Sequence, residues 1–540
     1  MKAKLAKKYF TYLAKHFPIM CASGLFPLVP PAVESAKWLD RLDDFSQKGL
    51  AKHTNALRRF TDDFRIAASK AETPEGAAQA EAFALNANGV LTELDRIRTW
   101  EKAPEMYLHI AFTGLEQAVC FPAKSERIRQ KRFLKRLKEV PHLLACAPAN
   151  IEMISAASRG EAQTIIRDCA RYLTDLGSQT LGQTGKARKL LDEALVSLRD
   201  YDRFVTACPE NPDDLGPSFS IMTENVLGST RSPDEIYAMA EEEYNNRLAS
   251  LRWFESKIGK GKTWRELYTE YQGPPTDGLE AMDLIVREIH RLRGFMQESS
   301  LAKVFADTGL RIDPHPVHLA STLRPIHLEP ALGAWDNEPS RCHVSAQLFS
   351  GRGFRDDPTQ LARARKEFPF MTAMQTYPGR HLLHSQRRAL GDAPMAHITN
   401  PLFTAGWLAF AENLMDELGY LEMPLDRLTH HKRGLCRAAL AMVDAGLARG
   451  SLDQNTCLSI LEKAGFSHEE GLHHVKTIRL TPARRAMPIL GLYEITRLRK
   501  KSRMDLGTFC AALFAEGQVS FARIEERVCA ANPRVSKEED

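Results

Sequence analysis

His381 and His384 stand three residues apart in Ala373–Gln386, a stretch reading Ala-Met-Gln-Thr-Tyr-Pro-Gly-Arg-His-Leu-Leu-His-Ser-Gln. On a helix that spacing puts both imidazoles on one side. A carboxylate from a second helix would complete a two-His, one-acid set of the kind that holds zinc. Glu412 is the candidate for it. The plainer expectation is that His381 packs or hydrogen-bonds in the interior, that His384 is exposed, and that no metal is held. Two further pairs, His430-His431 and His473-His474, are adjacent in sequence. Neighbours on a helix point about 100° apart and chelate poorly, so both pairs are expected at the surface.

Hydrolytic zinc sites of the gluzincin type use His-Glu-x-x-His on one helix. The Glu polarises the bound water, and a later helix supplies a third ligand. Here Tyr377-Pro378-Gly379 precedes Arg380-His381-Leu382, and Ala405-Gly406-Trp407-Leu408-Ala409-Phe410-Ala411-Glu412 runs on through Asn413–Tyr420. These segments resemble two signatures of a bacterial family, domain of unknown function 885, placed in the zinc metallopeptidase clan. The family's helix reads His-Glu-x-x-Pro-Gly-His-His-Leu-Gln, and its later signature reads Glu-Gly-Trp-Ala-x-Tyr-x-Glu. In that register the ligand His falls on Met374, the general-base Glu on Gln375, the first His of the pair on Arg380 and the third ligand on Ala405. His381 and Glu412 are kept. Arg437, Asp444, Gly446 and Leu447 match a third signature, whose His is Ala448 here. Arg479, Pro482, Gly491 and Leu498-Arg499 match a fourth, in which Ala483-Arg484 replaces Gly-Gln and Pro488 replaces a Tyr that would steady an oxyanion. Phe10–Leu42, Leu134–Ile151 and Ile312–Phe349 resemble further parts of the family, so the likeness spans most of the chain.

The departures fall on the polar chemistry, while packing and turn residues persist. A thioether at Met374 is a weak, soft donor for zinc. Gln375 fills the space of a Glu and takes no proton. Arg380 puts a fixed positive charge where a dication would sit, and Ala405 removes a ligand outright. The resemblance therefore implies a catalytically degenerate pseudo-metallopeptidase, with no cofactor, that acts by binding or regulation through the former cleft. A rebuilt enzyme site at His381, His384 and Glu412 is one alternative, and a protein-interaction scaffold is another. Arg380, His381, Glu412, Arg437, Arg479 and Arg484 are the candidate ligand-binding residues, suited to a peptide, a small anion or a protein partner. Arg380 and Glu412 are expected to pair across the former site.

The elements that must position these residues read as helices. Lys2–His16, Leu39–Phe64 and Ala77–Trp100 carry apolar residues at helical spacing. Lys124–Val140 is the most basic stretch and is expected to be a solvated helix face. Cys208–Pro217 is rich in breakers and is the expected boundary. Ser232-Pro-Asp-Glu opens a well-capped helix to about Ile258, and one or two more follow in Thr276–Thr308. Ile312–Phe349, with five prolines and the alternating run Cys342–Phe349, reads as a small antiparallel sheet. Helix resumes from Pro358 to about Ala531, and Asn532–Asp540 is a polar tail.

The expected fold is mainly α and zincin-like, with a small antiparallel sheet and a central cleft. Region 1–215 covers the cleft, and region 216–540 holds the sheet and the degenerate helices 370–387 and 404–420. Net charge is only +5 over 540 residues, with 44% hydrophobic content. That balance does not by itself argue for a nucleic-acid or anionic-membrane partner, and neither is expected. Ten scattered cysteines include no Cys-x-x-Cys pair, as expected for reduced thiols in a cytoplasmic protein. The basic start and the apolar Phe17–Val29 imitate an export signal, but Pro18 and Pro27 break the run and bulky Met20 precedes Cys21.

Overall fold

A computed structural model describes residues 3–26, 28–178, 183–211, 216–345, 348, 358–391 and 393–530. Pro27, residues 212–215 of the breaker-rich stretch, most of the end of the alternating run (346, 347, 349) and the tail 532–540 lie outside the described residues. The chain forms two compact units. One comprises 1–214 with 309–345, and the other 215–308 with 346–540. The strand segment thus belongs with the first unit, although it follows the boundary in sequence.

The first unit contains α1 (Ala3–His16), α2 (Pro18–Ser23), α3 (Gln47–Ser69), α4 (Pro74–Thr92), α5 (Pro104–Cys120), α6 (Glu126–Asn150), α7 (Ala156–Ser178) and α8 (Gly185–Ala207). The helical stretch expected from Leu39 starts only at Gln47, where Ser46 caps it by accepting from the Gly49 N–H. The loop before it supplies Asp43, whose buried carboxylate accepts from the N–H groups of Ile19 (2.7 Å) and Met20 (3.1 Å) at the start of α2.

The basic helix is not a wholly solvated face. Arg132 and Arg136 on α6 are buried. Arg132 donates to the carbonyls of Ala118 (2.7 Å), Pro122 (3.0 Å) and Phe121, and Arg136 to those of Gly114 (2.6 Å) and Arg41 (3.0 Å). The last carbonyls of α5 have no partner within their own helix. Arg132 supplies one for Ala118, at the negative end of the helix dipole, while Arg136 adds a second donor to Gly114 further inside α5.

The sheet is built from β1 (Leu310–Pro314), β2 (Ile326–Glu329) and β3 (Ser340–Val344), in the order β1-β3-β2. β2 and β3 are antiparallel, but β1 and β3 are parallel, with Ile312 opposite Cys342. The sheet is therefore mixed and not purely antiparallel. β3 inserts between its two predecessors, and local turn signals carry no information about that order.

The second unit holds α9 (Phe219–Met222), α10 (Pro233–Ile258), α11 (Trp264–Glu270), α12 (Ala281–Glu298), α13 (Pro358–Gln375), α14 (Arg380–Arg388), α15 (Pro401–Glu417), α16 (Pro424–Ala448), α17 (Gln454–Lys463), α18 (His468–Leu480), α19 (Met487–Ser502), α20 (Leu506–Phe514) and α21 (Phe521–Ala530). Ser232 and Glu235 close a capping box at the start of α10, with Pro233 in its first turn. α16 packs along α10 with Leu251, Leu435, Ala439 and Val443 in their shared core. The ten cysteines are free and most are buried. Among the described residues no helix is long and apolar enough to cross a membrane.

α15 and α19 meet at two glycines. A Cβ on Gly406 would stand 2.5 Å from the carbonyl carbon of Gly491, and a Cβ on Gly491 would stand 2.6 Å from the Gly406 Cα. Both obstacles are backbone, so no rotamer relieves the clash. On a free helix Gly→Ala would stabilise by about 1 kcal/mol. At this crossing Gly406→Ala is expected to destabilise the second unit by about 2–3 kcal/mol. Urea denaturation checks the sign, and unchanged or raised stability would contradict the packing described.

Candidate functional site

The stretch Ala373–Gln386 is two helices and a turn. α13 ends at Gln375, and α14 begins at Arg380. Between them the Tyr377–Pro378 peptide bond is cis. Proline has no N–H to continue a helix and disfavours helical geometry in the residue before it. Gly379 follows because nothing larger fits: a Cβ there would lie 2.2 Å from the Met374 carbonyl oxygen and 2.4 Å from that of Ala373. The indole of Trp407 on α15 donates to the Pro378 carbonyl at 2.8 Å, tying the turn to the next helix.

α15 opens with Asn400, whose side chain accepts from the Phe403 N–H, and Pro401. Ala405 and Glu412 lie seven residues apart, two turns on one face, and both are buried. The Glu412 carboxylate is gripped from α16. Arg433 donates to both its oxygens at 3.2 Å, and Arg437 reaches Oε2 at 2.9 Å. These are the cations that Glu412 engages, in place of the expected Arg380. Arg433 also binds Glu367 on α13. Glu367 in turn takes Arg363 at 3.1 Å and the Tyr268 hydroxyl at 3.1 Å, and Arg363 reaches Glu470 on α18 at 3.1 Å. Three carboxylates (Glu367, Glu412, Glu470) face three guanidinium groups (Arg363, Arg433, Arg437), so the network carries no net charge.

Burial alone would raise these carboxyls. For Glu412 the adjacent Arg433, then Arg437, win, and hold it well below the usual carboxylate range. Arg433 and Arg363 bring Glu367 down to about 2 against the same burial. Glu412 is therefore a fixed anion with its lone pairs committed, and is ill-suited to move a proton.

His430 sits beside this network, buried and not at the surface as expected. Its Nε2 lies 2.9 Å from Arg247 Nη1. A guanidinium only donates, so Nε2 accepts and Nδ1 carries the ring proton, 3.7 Å from Glu412 Oε1. Burial keeps His430 neutral by lowering its pKa. His431 is half-buried, with Nδ1 3.3 Å from Arg247 and Nε2 3.7 Å from Asp416. α16 is packed on several sides, by α10 and α15 among others, which encloses two directions 100° apart. His473 is exposed as expected, while His474 is half-buried against the Phe466 ring at 4.8 Å.

The other sequence candidates are dispersed. His381 is fully buried, with Nε2 3.4 Å from Asp307. His384 is buried as well, contrary to expectation, and accepts from Arg387 at 3.1 Å. Among the described residues no group of three or more His, Cys, Asp or Glu side chains is arranged to hold a metal ion. His381, His384 and Glu412 each engage a different partner. Met374 and Arg380 are half-buried at the ends of α13 and α14, and Gln375 is buried. Arg479 and Arg484 are exposed, and Pro488 lies in the first turn of α19. Asp444 accepts from the N–H groups of Ala483 (2.9 Å), Arg485 (2.8 Å) and Ala486 (3.0 Å), organising the turn into α19. Of the candidate ligand-binding residues, Glu412 and Arg437 are brought together by an ion pair. Glu367, Arg363, Arg433 and His430 are additions of the structure. Their sequence signals were the i, i+4 pairs Arg363–Glu367 and Arg433–Arg437.

The chain belongs to the family described as bacterial protein of unknown function (DUF885), whose profile matches residues 33–528. No curated protein matches it. Its fold is similar to a solved structure described as a "putative lipoprotein of unknown function" from Shewanella oneidensis, with TM-score 0.66, 14% identity, and coverage of 90% of this chain and 94% of the other. It is also similar to one described as a "putative lipoprotein" from Colwellia psychrerythraea, with TM-score 0.71, 14% identity and 99% of each chain.

The network sets an acid limit. Glu367 has a lowered folded pKa, so its contribution is present above its ordinary value of 4.5 and is lost as pH falls toward about 2. Over that window the second unit is expected to lose about 3 kcal/mol. Urea midpoints measured from pH 5 to pH 2 test this, with Glu367→Gln expected to be less stable at pH 5 and flatter across the range. Glu412→Gln, which strands Arg437 and leaves Arg433 to Glu367 alone, is expected to cost about 3–5 kcal/mol at neutral pH, read by the same method.

Proposed function

We propose that this member of the DUF885 family is a zinc-free pseudo-metallopeptidase that acts by binding or regulation. One observation carries the reading. Glu412, the acid that the family signature retains near the former metal position, is immobilised between Arg433 and Arg437. A carboxylate neutralised by guanidinium groups neither ligates a dication well nor accepts a proton at neutral pH. The residues in the family's ligand positions support the same reading: a thioether at Met374, an amide at Gln375, a cation at Arg380 and a methyl at Ala405. An ion-pair network joins these helices, whatever the surface beside them binds. The exposed Arg479 and Arg484, with the half-buried Arg380, suit an anionic or peptidic ligand.

Metal analysis tests the reading. Chain purified without chelator, incubated with excess zinc and then dialysed is expected to retain less than about 0.1 zinc per chain, since a metal site needs deprotonated ligands in fixed geometry. Stoichiometric zinc lost on Glu412→Ala would overturn it and favour a rebuilt hydrolytic site.

A further inference from the structure

We propose that α14 carries an oxyanion-binding site formed by Arg387 and His384. The helix reads Arg-His-Leu-Leu-His-Ser-Gln-Arg-Arg, nine residues without an acid. It is nonetheless largely an interior helix: Arg387 is 8% exposed and His384 6%. Arg387 Nη2 donates to His384 Nδ1 at 3.1 Å. Because the guanidinium only donates, His384 carries its proton on Nε2. Among the described residues, that N–H and the Arg387 Nε–H are buried and have no acceptor.

Buried charges in folded proteins are paired or otherwise compensated. Arg387 has no such compensation among the described residues. Burial and the neighbouring cation Arg388 push its pKa down to about 10, with no carboxylate opposing them. His384 is likewise held neutral by burial and by Arg387, His381 and Arg388. Asp307, a carboxylate that α14 reaches among the described residues, is engaged by His381 at 3.4 Å and by Arg293 at 2.8 Å. Gln386 and Ser385 are occupied too, with the Val304 carbonyl and the Thr308 hydroxyl. What the site lacks among the described residues is an acceptor with negative charge. The Nε–Nη2 edge of a guanidinium matches two oxygens of a carboxylate or phosphate, and the imidazole N–H lies on the adjoining side chain. This site stands whether or not the chain has lost zinc chemistry, because metal content and oxyanion response are read separately.

The test is thermal unfolding of the full chain at constant ionic strength. One titration uses inorganic phosphate, and another a short peptide with a free C-terminal carboxylate against its amidated form. A saturable rise in Tm of a few degrees is expected with phosphate, with the free-acid peptide, or with both, and the pattern identifies the source of the oxyanion. Arg387→Met is expected to raise Tm in oxyanion-free buffer, because it replaces an uncompensated buried charge with an apolar chain, and to abolish the response. Arg387→Lys, which keeps the charge but loses the paired edge, is expected to weaken binding about tenfold. No response from the unaltered chain, an undiminished response from Arg387→Met, or a lower Tm for Arg387→Met in oxyanion-free buffer would each overturn the proposal.

Discussion

Arg433 is shared by two buried carboxylates, Glu412 on α15 and Glu367 on α13, and the second unit is arranged around that sharing. Neither acid is tolerable alone at that depth, since an unpaired buried carboxylate costs several kcal/mol. Arg433 therefore requires both helices, and Arg437 and Arg363 complete the charge balance from α16 and α13. Through Glu470 the network extends to α18, and through His430 and Arg247 to α10. The polar groups of these helices are consumed in holding them together.

Packing keeps the same helices close enough for those bonds to form. The glycine crossing lets α15 and α19 approach at backbone distance. The fully buried Trp407 fills the space beside Phe514, with ring centroids 4.7 Å apart, and ends its hydrogen bond on the Pro378 carbonyl. That bond fixes the turn that separates α13 from α14. The turn in turn sets which side chains α14 sends inward: His381 to Asp307, and His384 and Arg387 to one another. The first unit solves its buried polar groups in a related way. Arg132 serves the Ala118 carbonyl at the end of α5, Arg136 the Gly114 carbonyl within it, and Asp43 the amides at the start of α2.

The helical character was legible because it rests on local rules. Apolar spacing, Ser232 with its capping box, and Pro at helix starts act within a few residues. So did the relation to the family, since Gly406, Trp407, Gly379 and Gly491 are identities imposed by close approach. Other features were not legible because they depend on distant partners. β3 inserts between β1 and β2, so the pairing of β1 is parallel, and no turn residue encodes that. The basic run on α6 reads as solvated until α5 brings carbonyls to Arg132 and Arg136. His430 and His384 look like surface histidines until the neighbouring helices enclose them.

The sequence by itself determined which residues stand in the two compared segments: Met374, Gln375, Arg380 and Ala405 are identities read without coordinates. It also determined that Glu412 lies on the face of Ala405, because helical periodicity is a property of the chain. Only the tertiary structure decided what Glu412 does there. Arg433 and Arg437 lie more than twenty residues downstream, and Glu367 and Arg363 lie upstream across a turn. Charge pairing in a low-dielectric interior selects partners by spatial proximity. Sequence spacing does not record that proximity once two helices have turned back on each other.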